Sequence, residues 1–348
     1  MRLRSTGQGG INVRSSKFRI GALLLAAAMA LAGCGSAPEL TAAEQPLPKE
    51  TLDLIGKKGM AAGKPIFVRI FKEESELEIW KARDDGRFYH FKTYPICNWS
   101  GEIGPKLRKG DKQAPEGFYT VTPAQMKPDS SFHVAFNIGF PNAYDRANDR
   151  TGEYLMVHGK CKSAGCYAMT DALVEEIYAL ARESFRAGQS SFEVHAYPFR
   201  MTDDKLARFK THKWYNFWAT LKQGYDYFET YRVPPSVAVC ERRYVVDVAL
   251  PATGRIDPEA RCPRFQRPLI EPFSPNLVDQ QVADQRVTVP GPKNRDATAL
   301  AWSDGETIAA PPPAASTTGS IAAPFTEPAA PVKNKSFGVP TALGLNQP

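Results

Sequence analysis

The densest group of reactive side chains runs Val157-His158-Gly159-Lys160-Cys161-Lys162-Ser163-Ala164-Gly165-Cys166-Tyr167, which sets an imidazole eight residues before a thiol. The run 154–158 has strand character and ends on His158, and Cys166 falls where the chain turns toward a helix. Gly165 opens backbone dihedrals at that turn that other residues cannot adopt. A thiol near a helix N-terminus, with His158 and Lys162 at hand, is expected to ionise more easily than usual, and the thiolate is the attacking species. The amides of Gly165 and Cys166 are expected to face the oxygen of a tetrahedral intermediate. Such a set suits nucleophilic acyl transfer, in which a covalent intermediate divides one hard step into two. His158, Cys161 and Cys166 are also acceptable zinc ligands, but their spacing lacks the paired Cys-x-x-Cys pattern, so neither metal nor organic cofactor is expected.

These residues need a scaffold, and short apolar runs supply one. The runs 66–71, 77–80, 88–91, 117–121, 132–136, 154–158 and 192–196 read as strands, with Asp85-Gly86 turning a hairpin between the second and third. A helix is predicted over 171–182, capped by Thr170 or Asp171, with Glu175 and Glu176 near its positive end and Leu173, Ile177 and Leu180 on one face. A second helix carries Trp214, Phe217, Trp218, Leu221 and Tyr225 at spacings of three and four, a core-facing stripe, and is predicted to end near Gly224. The expected class is mainly β with added helices (α+β), a sandwich or barrel-like domain over 51–200, a helical extension over 201–262 packed on it, and a disordered Pro/Ala-rich tail over 263–348. His90, His133 and His195 fall in strand-like runs and are read as structural.

The cluster resembles the active site of the YkuD-type L,D-transpeptidase family, in which a His-Gly strand end precedes a Ser/Thr-x-Gly-Cys turn, here His158-Gly159 and Ser163-Ala164-Gly165-Cys166. Gly110-Asp111-Lys112-Gln113-Ala114-Pro115-Glu116-Gly117 is similar to the family's Gly-Asp-x-x-Thr-Pro-x-Gly segment, and Phe140-Pro141-Asn142 also fits. Pro95-Ile96-Cys97, Ser100-Gly101, Gly104-Pro105-Lys106 and the short His-to-Cys gap resemble the YafK-like branch. The resemblance covers roughly residues 65–198. It implies Cys166 as nucleophile, His158 as base, the Gly159 carbonyl as the group orienting the imidazole, and the Gly165 and Cys166 amides as oxyanion donors. It further implies a thioester at the diaminopimelate carbonyl of peptidoglycan stem peptides, resolved by an amine. Water as acceptor would instead make an amidase that releases a wall-linked outer-membrane protein. A peptidoglycan-binding lipoprotein without catalysis is the rival from another class. The sequence departs from the family pattern at Ala164, where many members carry a second His, and at Ala168, where many carry an Arg. Substrate contacts are therefore assigned to Ser163, Lys160, Tyr167 and Arg146, with Lys162, Arg150 and Arg200 as further cations able to read a carboxylate.

The N-terminus bears on location. Basic residues through Arg19 lead into an apolar run of about a dozen residues, short of the roughly 20 that a membrane-spanning helix takes. Leu31-Ala32-Gly33-Cys34 ends it and resembles the lipobox of bacterial lipoproteins, which implies a leader over 1–33, lipidation of Cys34, a tether over 34–50 and membrane attachment through the acyl chains. Gly35 and Ser36 suggest the outer membrane, hence a periplasmic protein. Setting Cys34 aside leaves five of the six cysteines, an odd number, so one thiol stays free. Among the others, Cys240 is expected to pair with Cys262, and Cys97 and Cys161 remain open. The net charge of +7 is spread thinly and begins in the leader, so charge alone names no partner; a mildly basic surface would also suit an anionic polymer such as peptidoglycan or a membrane face, and no role with nucleic acid is expected.

Overall fold

The computed structural model describes residues 39–249, 256–274 and 287–289. The expectations for the leader and for Cys34 lie outside them.

The run Ile66-Phe67-Val68-Arg69-Ile70-Phe71 forms β1 (Ile66–Phe71) and is buried along its whole length. Successive side chains point to opposite faces, so burial of all six requires cover on both sides. Ile66, Val68 and Ile70 join the main core, whereas Phe67 and Phe71 enter two smaller aromatic clusters on the other face. On one side of β1 lies β2 (Glu76–Ala82) and beyond it β3 (Phe88–Pro95), the two joined at Asp85-Gly86, where Gly86 takes a positive φ of 77°. Parallel pairing of β1 with β10 (Phe192–Tyr197), and of β10 with the antiparallel β5 (Gly117–Val121), completes a five-stranded sheet of order β3-β2-β1-β10-β5.

A second sheet has the order β4-β9-β8-β7-β6. Its strands are short: β4 (Asn98–Trp99), β6 (Met126–Lys127), β7 (Ala135–Asn137), β8 (Met156–His158) and β9 (Tyr167–Ala168). Between β1 and this sheet the main core gathers Val68, Val194, Phe136, Val157 and Tyr167. The expected strand 132–136 loses its first half, because His133 turns through a positive φ of 73° and pairs with Glu175 instead.

Among the helices, α1 (Lys49–Lys57) precedes β1, the short α2 (Ala143–Ala147) leads to β8, and α3 (Asp171–Arg186) follows β9. Helix α3 lays Val174, Ile177, Leu180 and Ala181 into the main core, with Leu173 only partly buried at its margin. The short α4 (Asp203–Ala207) precedes α5 (Tyr215–Tyr231), and β11 (Val237–Cys240) and β12 (Arg243–Val246) close a hairpin. The expected end of α5 at Gly224 is corrected: the helix continues for two more turns and ends at Arg232, whose φ is 54°. Gly224 serves close packing, since a Cβ there would sit 2.6 Å from Phe118 Cζ.

Two stretches expected to be disordered pack on the domain where they are described. In the predicted tether, Ala43 and Leu47 are buried, and Arg182 donates to the carbonyls of Ala43 and Gln45. In the predicted tail, Phe273 N–H donates to Thr230 O at 2.8 Å and its ring meets Tyr89. Thr93, on edge strand β3, exchanges backbone hydrogen bonds with Val287 and Val289, which covers unpaired groups that an edge would otherwise present. Few large apolar residues were enough in both stretches, because each is held by contacts with distant parts of the chain.

Candidate active site

Strands β8 and β9 run side by side in parallel, with Val157 opposite Tyr167 and His158 opposite Ala168. One step back, Met156 falls opposite Cys166, and Met156 N–H donates to Cys166 Sγ at 3.4 Å. Alternate residues of a strand share a face, so Cys166 and His158 lie on the same side of this ribbon, offset by two positions.

His158 is buried, and its Nδ1 lies 2.7 Å from Gly159 O. A carbonyl only accepts, so Nδ1 holds the hydrogen and Nε2 is left with the lone pair that can take a proton. The ring of Phe132 packs against the imidazole with centroids 4.8 Å apart. Gly159 N–H donates to Phe132 O, and a Cβ at Gly159 would meet Asp171 Oδ1 at 2.5 Å. Only glycine fits there. Lys160 and Cys161 follow with φ of 63° and 49°, unusual for such residues, and this turn is held by Lys160 N–H on Asp171 Oδ1 at 2.7 Å.

The loop between base and thiol is pinned from outside by a disulfide between Cys97 and Cys161, and Cys97 N–H donates to Ala168 O. A second disulfide joins Cys240 and Cys262 as expected, and Cys166 is the free cysteine among the described residues. Cys161, being bridged, is withdrawn from the zinc ligand set considered above.

Burial controls the protonation of the pair. It pushes the Cys166 thiol up from its ordinary value of 9.0, against smaller opposing effects of the Met156 amide and the Lys106 ammonium. It also pushes His158 down from 6.5, opposed by the bond to Gly159. Both directions favour the neutral forms, thiol and imidazole. This corrects the expected low thiol pKa, for two reasons. Cys166 precedes β9 and α3 begins only at Asp171, so the positive end of the helix is not at the sulfur; and Lys162 is exposed, the neighbouring cation being Lys106.

Other assigned residues are placed differently. Ser163 Oγ donates to Cys166 O at 2.7 Å and accepts from Gly165 N–H at 3.3 Å, so it braces the turn and already engages one of the two amides assigned to the oxyanion. Tyr167 is fully buried with its hydroxyl on Pro115 O, which removes it from contact with substrate. Lys160 Nζ donates to Ser131 O, and the exposed Arg146 donates to Pro141 O. Arg150 is committed to the buried Asp145, and Arg200 to Glu76 and Glu78 on the other sheet. Residues that did not stand out singly in the sequence surround the thiol. Tyr154, exposed, accepts from the thiol through its carbonyl at 3.7 Å, and the buried Lys106, paired with Asp111, acts on the thiol's ionisation. Their signal was the Gly104-Pro105-Lys106 and Gly110-Asp111 motifs, noticed as segments and not as chemistry.

Two mixed sheets and a few helices match the fold of the L,D-transpeptidase catalytic domain, and the family description of that name (YkuD) matches residues 68–188. The chain belongs to this family. YafK of Escherichia coli strain K12, named provisionally as an L,D-transpeptidase, is 48% identical over 193 residues, which cover 56% of this chain and 78% of that protein. Among solved structures, the helical cell shape determining protein Pgp2 of Campylobacter jejuni is 15% identical with a TM-score of 0.32, covering 54% of this chain and 79% of that one. Bd1075 of Bdellovibrio bacteriovorus is 18% identical with a TM-score of 0.28, covering 49% and 64%.

Proposed function

We propose that the protein is a cysteine acyltransferase acting on peptidoglycan stem peptides at the diaminopimelate carbonyl. The observation that carries this is the free thiol of Cys166 on the same face of one ribbon as His158, whose Nδ1 is held so that Nε2 is basic. In the first step His158 Nε2 takes the thiol proton as Sγ attacks the carbonyl. The S–C bond forms, the amide C–N bond breaks, and the imidazolium returns the proton to the leaving amine. An acceptor amine then attacks the thioester and regenerates the thiol. Neutral partners suit this course, because charge appears only as the substrate is attacked.

Incubation with purified muropeptides, followed by intact-mass analysis, tests the proposal. The expected result is an acyl adduct on Cys166, absent in Cys166→Ala, with new amide products. Products formed by water alone would convert the reading to an amidase, and no adduct with unchanged muropeptides would remove catalysis altogether.

We further propose that the chain is exported and held by acyl chains on Cys34, with membrane and wall as its partners. Two disulfides support export, since such bonds persist in oxidising compartments. Radiolabelled palmitate incorporated by the full chain and lost in Cys34→Ala is the expected outcome; equal labelling of both would overturn it.

A further inference from the structure

Of the cations first considered for reading a substrate carboxylate, Lys160, Arg146, Arg150 and Arg200 are engaged elsewhere and Lys162 is exposed, whereas a buried cation lies on the loop packed beside the thiol turn. Lys106 lies on the loop after β4, and its Cε fits against Gly152, where a Cβ would come within 2.7 Å. The same segment, two residues on, brings Tyr154 O to 3.7 Å from Cys166 Sγ. Loop and turn are packed together on the other side too: a Cβ on Gly165 would meet Gln113 O at 3.5 Å, and Ser100 bridges Lys112 O and Ser163.

The ammonium has three protons and two acceptors, Arg108 O and Asp111 Oδ1. Asp111, its ion-pair partner, is itself held in place by several donors. Oδ2 accepts from the amides of Leu107 and Arg108, and Oδ1 accepts from Gln113 N–H as well as from Lys106. Three backbone amides and Lys106 thus fix Asp111 in place, and the ammonium keeps one proton for which no acceptor is found among the described residues. Lys106 acts to lower the pKa of the Cys166 thiol, an effect smaller than that of burial.

We propose that Lys106 is the carboxylate-binding residue of this site and receives the carboxylate that flanks the scissile bond of the substrate. The substrate part of this statement rests on the acyltransferase reading above; the anion site itself does not. Its test therefore uses small alkylating agents on the intact chain. Iodoacetate and iodoacetamide both form an S–C bond to the thiolate with loss of iodide, and they differ by one carboxylate. The ratio of their rates, read by mass at the Cys166 peptide, cancels any change in thiolate fraction.

The expected ratio falls about fivefold in Lys106→Met, the factor set by a unit charge at ~4 Å in a watery dielectric. It is retained in Lys106→Arg, and it rises in Asp111→Asn, where the competing anion is gone. If Lys106→Met does not fold, Asp111→Asn decides alone, a rise supporting the site. An unchanged ratio in Lys106→Met, or in Asp111→Asn when only that variant folds, overturns the proposal. Failure of muropeptides to acylate Cys166 while the ratio still responds would instead count against the acyltransferase reading.

Discussion

Polar groups are buried on both sides of this molecule, and they are treated in opposite ways. Beneath α5, Arg69 is fully enclosed, donates to Glu78 through Nε and Nη2 at 3.0 and 2.8 Å, and reaches Glu229 at 2.7 Å. Beside it Lys72 bonds Gly104 O, Ala114 O and Glu116, whose other oxygen accepts from Trp218 Nε1 at 2.8 Å. At the β8–β9 ribbon, by contrast, His158 is buried and Cys166 half-buried, neither in an ion pair among the described residues, and desolvation favours the neutral form of each. Complete pairing keeps charge in place and makes scaffold; burial without pairing leaves groups whose protonation is ready to change. The Lys72 group also ties the two regions together, because Gly104 and Glu116 bracket the loop that presents Lys106 to the thiol.

The largest effect that tests this contrast is on turnover. His158→Ala is expected to lower kcat by about 10²–10⁴-fold, the usual contribution of a positioned base, with little change in unfolding midpoint, since no ion pair is broken. Muropeptide turnover and urea unfolding of the same variant check both halves. A large loss of stability with retained turnover would reverse the roles given to the two regions.

Arg69→Met is the counterpart on the scaffold side. It removes the cation that Glu78 and Glu229 share, leaving Glu78 with Arg200 and Glu229 with Arg232, and breaking a buried pair from one side costs at most about 3–5 kcal/mol. Urea denaturation should show that loss, while iodoacetamide still alkylates Cys166 at the wild-type rate in the protein that remains folded. Arg69→Met together with Glu78→Leu should recover part of the stability, because a carboxylate that has lost one of its cations is then removed too.

The scaffold was more legible in the sequence than the site's surroundings. Alternation and apolar runs marked β1, β2, β5 and β10 and the inner face of α3, because each pattern is local and the core rewards it directly. The order His158-Gly159…Gly165-Cys166 marked the chemistry for the same reason: both groups come from one short stretch. What it could not show was contact across long separations. Cys97 meets Cys161 across 64 positions, Lys106 faces Cys166 across the loop, and Thr93 pairs with residues near 288. Gly224 misled because a glycine near a helix end reads as a cap, whereas here it admits the Phe118 ring. Cys166 misled because helix proximity along the chain was taken for proximity to the helix dipole.

The two disulfides divide along the same line. Cys97–Cys161 closes a 64-residue loop and anchors the catalytic turn, and Cys240–Cys262 closes a 22-residue loop in the C-terminal part. Chain-entropy reasoning assigns about 4 and about 3 kcal/mol to them as upper bounds. Cys97→Ser with Cys161→Ser is expected to lower both the thermal midpoint and turnover, and the Cys240 and Cys262 double variant to lower the midpoint alone. Equal loss of turnover in both pairs would show that the first bond does not act on the site.

The smallest effect is the most direct measure of the neutral pair. His158 has its folded pKa below the ordinary 6.5, so an unfolded chain takes up that proton first as pH falls; stability from this group is present above 6.5 and is lost as pH drops through the folded value. Cys166 has its folded pKa above 9.0, so the unfolded thiol ionises first as pH rises, and its contribution is lost from 9.0 upward until the folded thiol also ionises. Subtracting the urea midpoints of His158→Gln and Cys166→Ala from wild type, pH by pH, isolates each contribution. Turnover should follow the same boundaries, its acid limb lying below 6.5 where His158 gains its proton and ceases to act as a base. A resting thiolate–imidazolium pair would behave oppositely, with stability gained as pH falls through a raised histidine pKa and alkylation of Cys166 already maximal near neutrality. The neutral pair instead requires the alkylation rate to keep climbing past pH 9.0.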